Sequence, residues 1–199
     1  MGIRERRDRQ KTLLRAEIVE AARELFVKHG YESVSMRRIA EKIEYSPTTI
    51  YLYFKDKSEL ISAICEETFA RLNKRIEKVV DSAPDSVAAI KAGLMAYIEF
   101  GIKHPNHYKI VFLVPPPERN VEFEESAGYQ SYQILCKAVQ CGMDSGKIIP
   151  GDASAVSQAL WAAAHGVTAL LVAHRHFPFV DHMKLAKMVV DSAVNGVLA

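Results

Sequence analysis

Apolar residues recur every three or four positions along nearly the whole chain, which is the spacing of amphipathic helices. The first series, Leu14, Ile18, Ala22 and Phe26, is followed by Gly30, a residue type that commonly ends a helix. We find no convincing alternation of apolar and polar positions that would indicate a strand. The pattern predicts an all-α protein of about nine helices, over approximately residues 14–29, 36–43, 47–53, 57–81, 85–104, 105–113, 122–145, 152–175 and 182–198.

Short polar residues mark where several of these helices begin, because their side chains accept hydrogen bonds from the first free N–H groups of a helix. The predicted caps are Ser35, Ser46 followed by Pro47, Asp56 with Glu59 three residues later, Asp152 and Asp181. The run Pro115 to Pro117 predicts an extended break before the seventh helix.

Composition and charge narrow the class of protein. The 199 residues are 49% apolar and 25% charged, values typical of a globular chain. Residues 1–57 hold 13 Lys and Arg against 9 Asp and Glu, and this basic N-terminal arm favours a polyanionic partner. Most of residues 1–11 are charged and no apolar stretch follows them, so we expect no signal peptide. The apolar run 159–173 is shorter than the about 20 residues that a membrane span needs. We expect a cytoplasmic protein without membrane contact, and its three cysteines, which lack disulfide spacing, agree with a reducing compartment.

Residues 35–54 have the layout of a helix-turn-helix, with two short helices joined by a turn at Glu44–Tyr45. In the second short helix, Ile50 and Phe54 are four residues apart and are expected to pack inward. The exposed or partly exposed positions are then Thr48, Thr49, Tyr51, Leu52 and Tyr53. Hydroxyl groups near a helix N-terminus suit contacts with phosphates and base edges, so this helix is a candidate reader of duplex DNA.

About a dozen positions within residues 12–61 follow one pattern in register. They are Phe26, Gly30, Tyr31, Ser35, Ile39, Ala40, Ser46, Thr49, Tyr51, Tyr53, Phe54, Lys57 and Leu60. With these residues the chain resembles the TetR family of bacterial transcriptional regulators. The resemblance implies a three-helix DNA-binding domain over residues 1–57 and a ligand-binding and dimerisation domain over residues 58–199.

Carried over by position, the resemblance also implies which side chains contact DNA. Pro47, Thr48 and Thr49 are expected to contact bases. Phosphate contacts are expected from Arg37, Tyr51, Tyr53 and Lys57. One position departs from the family, which usually has glycine in the turn where this chain has Glu44. Because a positive φ costs glycine little, we expect either strain at Glu44 or a slightly different turn.

A weaker resemblance lies in the C-terminal part, over roughly residues 90–199. Trp161, His165 and Gly166, with the preceding segment 104–108, resemble a TetR subgroup with a Trp-x3-His-Gly signature. The predicted helix 152–175 is apolar on nearly every side between residues 159 and 173, and such a helix must be buried on most sides. With helix 182–198 it would supply half of a four-helix bundle between two subunits of a homodimer, the alternative being burial within one subunit.

Candidates for a ligand pocket are large, adaptable or polar side chains within apolar stretches of the second domain. They are Tyr97, Phe100, Tyr108, Phe112, Tyr129, Met143, Trp161 and His165. Most such side chains also serve as ordinary core. His165 is a lone histidine on an apolar face, which favours a structural hydrogen bond over a ligand contact.

Catalysis and metal binding find little support in the sequence. His104 with His107, and His174 with His176, are pairs without a clear third ligand, and Cys136 and Cys141 point to different faces of a helix. No Ser-His-Asp order and no glycine-rich phosphate loop stands out. We therefore expect no enzyme, no metal and no cofactor.

The sequence thus predicts a homodimeric transcriptional repressor that binds a pseudo-palindromic operator in double-stranded DNA. A small apolar or aromatic inducer would release it by tilting the long helix 57–81. An activator or a ligand-free architectural dimer is the alternative within the same class. A small-molecule carrier or an enzyme with a helical N-terminal domain is the alternative from another class.

Overall fold

The computed structural model describes residues 3–113 and 125–199, and within these ranges the chain forms nine α-helices and one π-helical turn. The helices are α1 Ile3–His29, α2 Met36–Lys42, α3 Pro47–Tyr51, α4 Lys57–Asp81, α5 Ser86–Lys103, α6 Pro105–Tyr108, α7 Ala127–Asp144, α8 Ala153–Ala173 and α9 His182–Asn195. The π-helical turn, Lys109–Leu113, follows α6 directly. Over the same ranges the extended pairing consists of an isolated antiparallel bridge between Ile148 and Leu198, and the all-α prediction is confirmed.

The predicted helix caps are present. The side chains of Ser35 and Ser46 accept hydrogen bonds from the backbone N–H groups of Arg38 and Thr49, each at 3.2 Å. Those of Asp152 and Asp181 do the same for Ser154 and Lys184, each at 2.8 Å. At the start of α4, Asp56 Oδ1 accepts from the Glu59 N–H at 2.8 Å, while Glu59 Oε2 accepts from the Lys55 N–H at 2.6 Å. Short polar residues therefore fix where these helices begin.

Three predicted boundaries were wrong. Helix α1 begins at Ile3 rather than near Leu14, since Arg, Glu, Lys and Gln are good helix formers even without an apolar face. Helix α7 begins at Ala127, after the cap Ser126, rather than at residue 122, and residues 122–124 lie outside the described ranges. The predicted helix 105–113 is divided into α6 and the π-helical turn.

The chain divides into two compact units. Unit 1 contains described residues 3–68 and 106–113, and unit 2 contains residues 69–105 and 125–199. Helix α4 belongs to both, because the division falls between Thr68 and Phe69 within it. The predicted domain boundary after residue 57 coincides with the first residue of α4, and the assignment of functions to residues 1–57 and 58–199 stays a prediction.

Unit 1 is organised around one apolar core to which every one of its longer elements contributes. The fully buried members include Ile18 and Phe26 of α1, Ile39 of α2, Ile50 of α3 and Leu60 of α4. Ile110 of the π-helical turn joins the same cluster. Burying a side chain of this size contributes about 1.5–3 kcal/mol, so these contacts hold the short helices α2 and α3, which are too short to be stable alone.

Unit 2 is a helical bundle in which α5 packs against α7, α8 and α9. Ile90, Leu94 and Ile98 supply the buried side of α5, and Leu160 and Val190 supply those of α8 and α9. Among the described residues, α8 keeps exposed positions on more than one side. Trp161 is 41% exposed, and Leu170, nine residues further and so about half a turn around the helix from it, is 50% exposed. The prediction that α8 is buried on most sides is therefore not met by the described residues of one subunit.

Helix α8 is also the helix of the described ranges that is long and apolar enough to cross a membrane. Its 21 residues exceed the apolar run 159–173 read from the sequence, so length alone does not distinguish a span from a helix of the bundle. About 39% of its most apolar window is already buried inside the structure, in contacts with α5, α7 and α9. A core or interface helix of a bundle has the same length and composition.

Candidate DNA-binding surface and C-terminal site

Helix α3 presents one side to the core of unit 1 and the opposite side to solvent. Ile50 and Phe54 lie one turn apart and are buried, as predicted. Thr48, Tyr51 and Leu52 are exposed, and Thr49 is half-buried. Pro47 occupies the first position of the helix, where its missing N–H costs no hydrogen bond. Thr48, Tyr51 and Leu52 therefore lie on the outward side of a short helix anchored at its back, whereas the predicted contacts Arg37 and Lys57 lie on α2 and α4 and Pro47 and Tyr53 are half-buried.

The turn before α3 contains the strained residue that the sequence predicts. Glu44 has a φ of 60°, in the left-handed region that non-glycine residues avoid at a cost of about 1 kcal/mol. The following residue, Tyr45, closes the turn by donating its N–H to the Ala40 carbonyl at 3.0 Å. The backbone at Glu44 therefore adopts the positive φ that a glycine would adopt freely at this position, and it does so with strain.

A hydroxyl pair fixes the N-terminal end of α3. Ser46 Oγ accepts from the Thr49 N–H at 3.2 Å and lies 2.9 Å from Thr49 Oγ1. The Thr49 hydroxyl is therefore held in a defined rotamer near the start of the helix. A preset hydroxyl loses little freedom on binding, which suits a contact to a base edge.

Arg37 and Tyr51 are the most accessible of the predicted phosphate contacts. The Arg37 guanidinium lies 3.3 Å from the Glu41 carboxylate on the next turn of α2, and both side chains are exposed. An exposed pair of this kind is worth about 0.3–0.5 kcal/mol, so a phosphate can displace Glu41 readily. The Tyr51 ring projects from the end of α3, with its hydroxyl available to solvent-side partners.

Lys57 has a structural role that no sequence pattern indicated. Its ammonium group donates to the Tyr31 carbonyl at 2.7 Å and lies 4.1 Å from the centroid of the Tyr31 ring. Burial, followed by the charge of Glu32, raises the pKa of the Tyr31 hydroxyl, so this ring is neutral at physiological pH. A lysine has three N–H donors, and the two that remain after the Tyr31 contact can still meet a phosphate.

A shallow groove of about 430 Å³ adjoins Tyr51 and the start of α4. It is lined by Glu32, Ser33, Val34, Ser35, Met36, Tyr51, Lys55, Asp56 and Lys57. The two lysines of this lining are matched by two carboxylates, Glu32 and Asp56, so the groove carries no net positive charge.

An ion-pair cluster within unit 1 joins α1 to α4 behind the reading surface. Glu67 of α4 lies 3.3 Å from the Arg15 guanidinium and 3.8 Å from that of Arg23, which is buried and also pairs with Glu20. The Arg15 guanidinium lies 5.0 Å from the centroid of the Phe54 ring. These arginines, which the sequence shows only as positive charge, therefore serve to hold unit 1 together.

In unit 2, two of the predicted ligand residues contact each other. The Tyr97 hydroxyl lies 3.0 Å from Nδ1 of His165, which confirms the predicted structural hydrogen bond of His165. Burial lowers the pKa of His165, so the ring is neutral at physiological pH and Nδ1 can accept from Tyr97. The rings of Trp161 and His165 lie 6.0 Å apart, and that of Tyr132 lies 6.4 Å from Trp161. Tyr132 was missed, although it follows the candidate Tyr129 by three residues on the same helix.

Of the other predicted ligand residues, Tyr129 adjoins this group, with its ring 6.2 Å from that of Tyr132. Tyr108 and Phe112 lie in unit 1, where their rings are 4.9 Å apart. Met143 is 14 residues beyond Tyr129 on α7, which separates the two by about 21 Å along the helix axis. Phe100 is buried on α5 and its ring lies 4.9 Å from that of His104. Within unit 2, the predicted candidates with observed mutual contacts are therefore Tyr97, His165 and Trp161, with Tyr129 linked to them through Tyr132.

Metal binding remains without support in the part of the chain that the structure describes, where no group of three or more His, Cys, Asp or Glu side chains is placed to hold an ion.

Helices α2 and α3 are short and are joined by a tight turn. One side of α3 is anchored in the core, and the opposite side is exposed and carries hydroxyl groups. This arrangement defines a helix-turn-helix DNA-binding protein.

Comparison with known proteins gives the family. Residues 18–64 match the family described as bacterial regulatory proteins, tetR family, and residues 90–193 match the tetracyclin repressor-like C-terminal domain. The chain therefore belongs to the TetR family and is a DNA-binding transcriptional regulator. Proteins of this family are generally not enzymes. The match does not distinguish the Trp-x3-His-Gly subgroup, which stays a prediction.

Several relatives are regulators by name. The fatty acid metabolism regulator protein of Bacillus subtilis is 25% identical over 197 residues, which cover 95% of this chain and 98% of that protein. The regulator UidR of Escherichia coli K12 is 37% identical over 82 residues, 38% of this chain and 42% of UidR. The match to a Staphylococcus aureus regulator is 27% identical and spans 58% of this chain and 61% of that relative.

Solved structures share the fold. The ketosteroid transcriptional regulator KstR2 of Mycobacterium tuberculosis has a TM-score of 0.69 at 18% identity, over 93% of this chain and 95% of that one. PfmR of Thermus thermophilus has a TM-score of 0.71 at 18% identity, over 89% of this chain and 97% of that one. At this identity the likeness establishes the fold alone.

Proposed function

We propose that this regulator is a homodimeric repressor that leaves its operator when a small apolar or aromatic inducer binds. Residues 1–57 would read a pseudo-palindromic operator, and residues 58–199 would hold the dimer contact and the ligand. The observation that carries the proposal is the pairing of an exposed, hydroxyl-bearing α3 with a C-terminal bundle whose α8 keeps an apolar side uncovered. The TetR membership of both segments supports it.

On the DNA side, we assign base contacts to Pro47, Thr48 and Thr49. Phosphate contacts are assigned to Arg37, Tyr51, Tyr53 and Lys57. Support comes from the exposure of Thr48 and Tyr51 and from the hydroxyl pair that presets Thr49. The basic residues of α1 before Leu14 add long-range attraction to the phosphate backbone.

The dimer contact is assigned to α8 and α9. Their exposed apolar side chains are Trp161 and Leu170 on α8 and Met183 and Met188 on α9. Gly166 precedes Leu170 by one turn on the same side of α8, and a Cβ built on it meets open space among the described residues. Exposed apolar side chains of this kind on a regulator are typical of a subunit interface. A cytoplasmic location follows from a DNA partner.

For the inducer, we assign the neighbourhood of the Tyr97–His165 hydrogen bond, with Tyr129 and Trp161 nearby. A mostly aromatic lining with one buried polar pair is the usual chemistry of a site for an apolar compound. One similar protein is named a regulator of fatty acid metabolism, and that name supports an apolar ligand.

Two assays test the proposal together. Deletion of the gene should raise transcription from the promoter that the protein occupies. Added inducer should cause the same rise in transcription in the wild-type strain and no further rise in the deletion strain. A compound that releases the protein from its operator must bind the DNA-free protein more tightly than the DNA-bound protein. The difference in binding free energy should be about 1–3 kcal/mol for a useful switch. Falling transcription on deletion would instead favour activation, for which a specific precedent exists: FasR of Mycolicibacterium smegmatis, 27% identical over 99 residues, is named an activator.

A further inference from the structure

Exposed apolar side chains of unit 1 concentrate on the reading segment. Among the described residues of this unit, the large apolar side chains at the surface are Leu13, Tyr45, Tyr51 and Leu52. Three of these four lie within the eight residues from Tyr45 to Leu52. Leu52 is 79% exposed, more than any other large apolar side chain in that set. A single exposed leucine needs no explanation, but an apolar cluster on a binding surface does.

Leu52 stands at the C-terminal end of α3, on its outward side. It follows Thr48 by four residues and so stands one turn further along the same side. Its backbone is still helical, with φ −73° and ψ −17°, although it is the C-terminal cap. The buried Ile50 and Phe54 lie on the opposite side, so any duplex that meets Thr48 also meets Leu52.

The residue types of this segment restrict how it can read bases. From Tyr45 to Phe54 the sequence is YSPTTIYLYF, which contains no Arg, Lys, Asn, Gln, Asp or Glu. Those are the side chains that pair bidentately with guanine or adenine or accept from cytosine in the major groove. What remains are hydroxyl groups, which tolerate several bases, and apolar contacts. The one apolar group that the major groove offers is the C5-methyl of thymine.

We infer that Leu52 is a specificity-determining residue of the operator contact and that it reads thymine through the C5-methyl group. The operator then has a thymine in each half-site at the position that faces Leu52, next to the bases contacted by Thr48. This inference rests on the proposed function of α3 and adds to it a preferred base and the chemical group that is recognised.

Uracil substitution tests the inference, because uracil retains every hydrogen-bonding group of thymine and lacks only the methyl. An operator is first selected from random duplex DNA, and its thymines are then replaced by uracil one symmetric pair at a time. Burial of one carbon group is worth about 0.8 kcal/mol, which is about fourfold in affinity, or about 16-fold for the two half-sites together. Wild-type protein should lose about this factor at one pair of positions, measured by fluorescence anisotropy at fixed salt.

The variant Leu52→Ala should lose a similar factor on the thymine operator and show no further loss on the uracil operator. Leu52→Met, which keeps an apolar side chain, should retain the uracil penalty. Leu13→Ala, at another exposed leucine of unit 1, should behave as wild type, and circular dichroism checks that each variant is folded.

Two results would overturn the inference: equal wild-type affinity for every uracil operator, or an unchanged uracil penalty in Leu52→Ala. Failure of the selection to yield any preferred sequence would contradict the proposed function and this inference with it. Specific binding without a uracil penalty would contradict the inference alone.

Discussion

The outward sides of α3 and α8 are both exposed, yet their chemistry differs. On α3, small hydroxyl groups surround one exposed leucine, and charged residues lie close by on α2 and α4. On α8, Trp161 and Leu170 are exposed, and the helix has no charged residue between Ala153 and Ala173. A mixed polar surface suits a hydrated, charged partner such as DNA, whereas an uncharged and largely apolar surface suits a second protein surface. The composition of an exposed side therefore indicates the class of partner.

The largest effect should follow from placing a charge on the apolar side of α8. We expect Leu170→Glu to yield monomers, because a carboxylate would be buried unpaired in the dimer contact. Operator binding should weaken by about 100-fold, because one subunit carries only one of the two α3 helices that contact the operator. Sedimentation velocity gives the oligomeric state. Ile149→Glu, an equally exposed apolar position outside α8 and α9, is the control and should remain dimeric. A dimeric Leu170→Glu would show that another surface joins the subunits.

The next largest effect should come from the hydroxyl face of α3. Thr49→Ala and Tyr51→Ala should each weaken operator binding by about 1–3 kcal/mol while the dimer stays folded, because each removes a preset contact to DNA. Thr12→Ala, which removes an exposed hydroxyl of α1 that donates to the Asp8 carbonyl at 3.1 Å, is the matched control. Unchanged affinity of both α3 variants in a gel-shift titration would count against the assigned contacts.

A smaller effect should appear at the strained turn. Glu44→Gly should stabilise unit 1 by about 0.5–1 kcal/mol, since glycine adopts a φ of 60° without strain. It should also tighten DNA binding, because a carboxylate near the phosphates is removed. Glu44→Gln separates the two causes, as it keeps the strain and removes the charge. Lower thermal stability of Glu44→Gly than of wild type would contradict the strain at this residue.

The smallest effect concerns an ion pair between α5 and α9. Hydrogen bonds from Lys187 and Lys91 lower the pKa of Asp191 from 3.8 to about 2. Because the pKa is lower in the folded chain, the stabilisation is complete above the unfolded value of 3.8 and is lost as the pH falls toward 2. Asp191→Asn should therefore have a slightly lower melting temperature than wild type at neutral pH. Near pH 2 the melting temperatures of the two proteins should be nearly equal. Asp81→Asn, at the end of α4, is the control, and an equal shift at both pH values would contradict this assignment.

How much the sequence could predict depended on the sequence separation of the interacting groups. The caps Ser46 and Asp181 bond to N–H groups three residues away, and the short helix α3 and its buried Ile50 follow from spacing alone. The Lys57 contact with Tyr31 spans 26 residues, and no local pattern indicates it. The start of α1 was also missed, because a helix of charged residues has no apolar periodicity to reveal it.

The C-terminal site was the least predictable part for the same reason. Tyr97 and His165 are 68 residues apart, and only the packing of α5 against α8 brings them together. An aromatic residue in an apolar stretch has the same local signal whether it lines a pocket or fills a core. The sequence could therefore name such candidates but not tell which of them come together, as Tyr97 and His165 do.

Selection of bound sequences from random double-stranded DNA tests the central claim most directly. If two copies of α3 read the operator in one dimer, the selected sequences contain an inverted repeat whose half-sites are one helical turn apart or more, and Thr49→Ala abolishes their enrichment. Enrichment of an unrepeated site bound by a single subunit, or of no sequence at all, would contradict the account.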